Sequence, residues 1–85
     1  MELIKENQKW KTYKADKCKI FYRYKWTVAW NNSENEEELI YLINWEAKVT
    51  IEDKETVFKA PAEIKIPEKT YHKIEAITDI SFILF

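Results

Sequence analysis

The chain has 85 residues, no glycine, two prolines and one cysteine, and its 14 basic and 15 acidic side chains leave a formal net charge of −1. A chain of this length reads as one domain, 1–85, burying only about 60% of its unfolded surface, and a lone cysteine excludes an internal disulfide or a thiolate zinc cluster. The charge is uneven: residues 1–30 carry eight basic and three acidic side chains, residues 31–85 six lysines and twelve acids, a pattern of solvated strand faces or of a basic face for an anionic ligand.

Residues 1–9 are polar and are expected to fray, and Trp10 to Ala15 form a short first strand. From Cys18 to Trp30 the even positions are Cys18, Ile20, Tyr22, Tyr24, Trp26, Val28 and Trp30, and the odd ones are mostly polar, with Phe21 and Ala29 as exceptions. A period of two predicts a half-buried strand with its even face on a core, long enough to bend and serve two pairings. Asn31 to Glu36 is a loop by composition. Glu38 to Trp45 is apolar on both faces, Ile40 and Leu42 on one and Leu39, Tyr41 and Ile43 on the other, as in a strand covered twice. Ala47, Val49 and Ile51 alternate with polar residues, Glu52 to Glu55 turns, and Val57–Phe58, Glu63–Ile66, Tyr71–Ala76 and Ile80–Phe85 complete the set. Pro61 and Pro67 mark strand ends, since proline cannot donate to a ladder. Without glycine, turns at positive φ are expected at Asn31-Asn32, Asn44 and Asp53. Seven to eight short antiparallel strands with little or no helix predict an all-β barrel or sandwich, with no repeat and no linker.

Two side chains stand out for chemistry. Glu38 shares a strand face with Ile40 and Leu42, and His72 is the only histidine. If both faces are interior, carboxylate and imidazole meet at the barrel mouth as an acid–base or ligand-anchoring pair. Trp26, Trp30, Tyr22 and Tyr24 share one face, suited to core packing or to stacking on a flat ligand, with Arg23 and Lys25 on the opposite face. Cys18 reads as a small buried hydrophobe. A chain without glycine has no nucleophile elbow and no phosphate-binding loop. No recognition helix or RNA-binding motif is present, which argues against nucleic acid.

Pro67-Glu68-Lys69-Thr70-Tyr71-His72-Lys73-Ile74-Glu75-Ala76 resembles the second motif of the cupin superfamily. Proline and histidine stand at the family's spacing, with Lys69 and Ala76 in place of its glycine and asparagine. In the first motif Glu38 falls at the glutamate and Trp45 at the glycine. The two histidine positions fall within Asn31 to Glu34, and neither is histidine. The resemblance covers residues 31–85 and more loosely 17–30. It implies a small cupin-like antiparallel β-barrel or jelly-roll with a degenerate metal site. Any divalent metal would rest on His72 and Glu38, and three protein ligands are usual for a catalytic site. The expected protein is therefore a non-catalytic binder without a cofactor, taking a small anionic, sugar or nucleotide ligand among Glu38, His72, Trp26, Trp30, Tyr24 and Ile40. The alternatives are a cupin-type enzyme, metal-dependent or a metal-free isomerase in which Tyr71 and His72 act, and a phage accessory protein that binds a host component. The doubly apolar strand predicts a homodimer through Leu39, Tyr41 and Ile43. The charged start of the chain and the single cysteine predict a cytoplasmic location.

Overall fold

Alternating side chains build ten strands among the residues described by the computed structural model, 1–31 and 35–85, with the side chains of Trp30 and Asn31 outside that description. They are β1 (Glu2–Glu6), β2 (Trp10–Lys14), β3 (Lys19–Arg23), β4 (Val28–Asn31), β5 (Glu38–Asn44), β6 (Glu46–Ile51), β7 (Lys54–Lys59), β8 (Ala62–Ile66), β9 (His72–Ala76) and β10 (Ile80–Leu84). All pair antiparallel, in a six-stranded sheet ordered β1-β2-β3-β10-β5-β8 and a four-stranded sheet ordered β4-β9-β6-β7. No helix in the described residues is long and apolar enough to cross a membrane.

Two strands more than expected come from two places. Residues 2–6 pair with β2 instead of fraying, Leu3 opposite Tyr13 and Glu6 opposite Lys11. The stretch from Cys18 to Trp30 divides into β3 and β4, which lie in different sheets. A tight turn separates them. The Thr27 amide and hydroxyl both donate to the Tyr24 carbonyl, at 3.1 and 2.6 Å, and the Lys25 amide donates to Asp79 Oδ1 at 2.7 Å.

The inner rows of the six-stranded sheet are set by β10. Phe82 lies opposite both Phe21 and Leu42, and Leu42 lies opposite Ala62. The Phe21 and Phe82 rings stack at 4.9 Å. Ala47, Val49 and Ala76 of the other sheet close over this row, and Ile40, Ile64, Ile66 and Ile80 complete the buried core. Burying an aliphatic side chain of this size contributes about 1.5–3 kcal/mol relative to leaving it exposed. The half-buried Ile74, Ile51 and Phe58 pack around its margin.

This register reverses the expected facing of the long aromatic stretch. Phe21 is locked inward by Phe82, so on β3 the odd positions point inside and the even ones outside. Tyr22, Tyr24, Trp26 and Val28 are exposed, Trp26 by 74%. The apolar alternation marks two faces correctly, but the face richer in aromatics is the outer one. Among the described residues positive φ falls on Trp26, Glu52 and Lys69 rather than on Asn44 or Asp53, and Asn32 lies outside the description. The pairing of Ile51 with Lys54 leaves Glu52-Asp53 as a two-residue hairpin loop, and its first position takes the left-handed backbone.

The reversed facing has a direct test in chemical denaturation. Phe21→Ala removes a ring from the inner row and lowers stability by about 3 kcal/mol, whereas Tyr24→Ala costs no more than about 1 kcal/mol. The readout is the urea midpoint at unchanged slope. The opposite order would show that the even face is the buried one.

Candidate functional site

Period-two strands carry three polar side chains to one place between the sheets. Glu38 opens β5 on the face of Ile40 and Leu42, which are buried. His72 opens β9 on the face of Ala76, also buried. Arg23 closes β3 on the face of Phe21. They line a cavity of about 200 Å³ whose other described walls are Phe21, Ala29, Ile40, Ile74, Phe82 and Leu84.

His72 is only 4% exposed. Its Nδ1 lies 2.8 Å from the Thr70 carbonyl oxygen. A carbonyl only accepts, so Nδ1 carries the hydrogen and donates it. That leaves Nε2 facing the cavity, 3.5 Å from Glu38 Oε2.

The carbonyl that orients His72 is itself held. The Thr70 amide donates to Asn35 Oδ1 at 3.0 Å, and Asn35 Nδ2 donates to the carbonyls of Pro67 and Glu36 at 2.9 and 3.0 Å. The Lys69 amide donates to the Asn35 carbonyl at 2.8 Å, and Lys69 takes positive φ in the same turn. The buried Asn35 thus clasps the turn that precedes β9. By composition Asn35 is one more polar residue in a loop, and no local signal marks it.

Strand alternation places Arg23 on the solvent face, and the structure turns it inward with Phe21. Its guanidinium carbon lies 4.6 Å from the Trp10 ring centroid and 5.2 Å from that of Phe21. Trp10 sits directly opposite it on β2. Among the described residues no carboxylate pairs with Arg23, and its buried Nε has no hydrogen-bond partner. Burial lowers the guanidinium's pKa from its usual value. Ring faces hold this cation, which leaves its hydrogen-bond donors uncommitted.

Of the six residues expected at the site, Glu38, His72 and Ile40 share the cavity. Trp26 and Tyr24 do not. Trp26 borders a hollow on the outer face of the four-stranded sheet with Val28, Lys48, Val57 and Glu75, and Lys25 Nζ lies 4.9 Å from its ring centroid. Tyr24 borders a surface hollow with Met1, Lys11, Tyr13 and Tyr22. The side chains of Trp30 and Asn31 and the whole of residues 32–34, which span the positions of the missing motif histidines, lie outside the description. Tyr71 is exposed while its neighbour His72 is buried, so the two do not enter one pocket. Cys18 is half-buried beside a wider groove of about 520 Å³, with Lys14, Lys17, Lys19, Glu36 and Glu37. Glu38 and Leu84 border both the groove and the inner cavity.

Among the described residues no three His, Cys, Asp or Glu side chains converge. His72 Nε2 and Glu38 supply two donors, which do not by themselves fit the three protein ligands usual at a catalytic divalent metal.

The Asn35 clasp yields a prediction. Asn35→Ala leaves the Thr70 amide and the Pro67 carbonyl without their side-chain partner. Stability falls by about 2 kcal/mol, and the His72 Nδ1–H proton, followed by 15N NMR, exchanges faster with water. Unchanged exchange would show that the turn is held by other means.

No family model matches the chain, and no curated protein matches it by sequence. Solved structures do match in fold. The cupin domain of Schizosaccharomyces pombe Cnp3 superposes with a TM-score of 0.74 at 13% identity, covering 99% of this chain and 59% of that one. A cupin superfamily protein from Desulfitobacterium hafniense gives 0.73 at 11% identity, covering 96% and 70%. A Thermotoga maritima protein described as a predicted oxalate decarboxylase gives 0.71 at 20% identity, covering 79% and 61%. The chain thus spans about 60% of the first and third of these. At such identities the likeness speaks for architecture: the chain has a cupin-like fold.

Proposed function

We propose that the protein is a non-catalytic, cupin-like binder of a small molecule in the cavity between its sheets. The observation that carries this reading is the convergence of Arg23, Glu38 and His72 on a space of about 200 Å³ walled otherwise by apolar side chains. Small-molecule sites have this make-up, with few polar groups that orient and many apolar ones that exclude water. A merely structural histidine would not need a cavity beside it. The two-donor set of Glu38 and His72 supports binding over metal-dependent catalysis. The single free Cys18 fits a reducing compartment, and the cytoplasm is the proposed location.

A second copy is proposed as the partner. Leu3, Tyr13, Ile20, Ile83 and Tyr41 lie in register across five strands on the outer face of the six-stranded sheet. Leu39 and Ile43 continue that face along β5, and the Tyr41 ring packs edge-on against Phe85. A self-complementary apolar face of this kind suits a two-fold dimer.

Two measurements check these readings. Ala29→Leu adds a branched side chain to the cavity wall; it leaves the melting temperature within a few degrees and abolishes retention of the small molecule that native mass spectrometry finds on the freshly purified protein. Retention at the wild-type level would place the ligand elsewhere. Ile43→Glu shifts the mass in solution from two chains to one, and a wild-type protein that is already monomeric at micromolar concentration would end the dimer reading.

A further inference from the structure

We infer that the cavity is a receptor for a short monocarboxylate whose carboxylate is gripped by Arg23. This rests on the cavity being a binding site and names the chemical class of its ligand.

Arg23 is the only arginine, and every other one of the 14 basic side chains is lysine. The chain places its single planar, five-donor cation at an inward position of β3 that lines the cavity beside Phe21. A lysine at this position would supply a positive charge, but only a guanidinium supplies the fork that matches two carboxylate oxygens. Among the described residues the buried Nε lacks a partner, and the rings of Trp10 and Phe21 lie against the guanidinium. An unpartnered buried donor destabilises the fold, and a bound anion removes that penalty.

Charge and volume narrow the class. Arg23 brings one positive charge to the described lining of the cavity. One carboxylate neutralises it, whereas a phosphate dianion brings more charge than a single cation balances. At about 30 Å³ for a water-sized group, the cavity holds roughly six or seven non-hydrogen atoms. Phe21, Ile40, Ile74 and Phe82 provide apolar walls for a short hydrocarbon tail, and His72 Nε2 faces the same space.

The test titrates the whole chain, labelled at the isoleucine and leucine methyls, with sodium butanoate and with its neutral isostere butanamide. Butanoate shifts Ile40, Ile74 and Leu84 saturably, and butanamide binds at least tenfold more weakly. Arg23→Met weakens butanoate at least tenfold, and Arg23→Lys recovers only part of the loss. A thermal melt of each variant confirms folding. Arg23→Met melts at or above the wild-type temperature, because an apolar side chain replaces a desolvated cation. Equal affinity for butanoate and butanamide, or an Arg23→Met variant that binds butanoate normally, overturns the carboxylate assignment while leaving the cavity as a binding site. A retained ligand without a carboxylate, displaced by Ala29→Leu, does the same. If neither probe moves a cavity methyl and no retained ligand is displaced by Ala29→Leu, both readings fall.

Discussion

Phe82 lies in the middle of the six-stranded sheet, opposite Phe21 on one side and Leu42 on the other, and its stacking on Phe21 decides which half of every neighbouring side chain faces inward. In an antiparallel sheet a slip of one residue turns each side chain to the opposite face. Moved by one position, β3 would bury Tyr22 and turn Arg23 into water. The inward lysines of the sheet show how narrow the margin is: Lys14 and Lys19 occupy inner-row register positions next to Leu84, at the open end of the cavity where their ammonium groups can reach solvent. The packing of one aromatic pair therefore precedes the site and determines its content.

Two further devices make the site from that frame. One is the clasp in which Asn35 gathers the turn before β9 and so holds the carbonyl that orients His72. The other is the cation at Arg23, held by ring faces rather than by a counter-charge. The cavity and the uncommitted Arg23 donor work against the stability of a chain this small, since a cavity forfeits packing and an unpaired donor forfeits a hydrogen bond. Costs of this kind gathered at one cavity are what a functional site is expected to carry. The fold shared with larger cupin structures supplies the two sheets, and the chemistry belongs to side chains particular to this chain.

Much of this was legible in the residues. The doubly apolar stretch from Glu38 to Trp45 reads as a strand covered twice; the strand is there, with Ile40 and Leu42 buried on the face of Glu38 and Ile43 exposed on the other. The Pro67 to His72 spacing located a turn feeding an inward imidazole. What was not legible has physical causes. The Cys18 to Trp30 alternation is equally clean on either face, and tyrosine and tryptophan are amphipathic enough to sit in water, so the aromatic face read as the core. Arg23 was accordingly assigned outward, and Tyr24 and Trp26 inward. Asn35 makes its decisive hydrogen bonds to residues more than thirty positions away, a separation to which no local pattern is sensitive.

By itself the amino-acid order determined the class of structure, the strand rhythm, and the absence of an internal disulfide and of glycine-dependent chemistry, because those depend on composition and on the two-residue repeat of a strand. Only the tertiary structure decided which face of the aromatic strand is inside, that the stretch divides between two sheets, and that the single arginine joins Glu38 and His72. Those outcomes depend on packing between segments distant in the chain, where the fit of Phe82 between Phe21 and Leu42 outweighs the local preference of any one side chain.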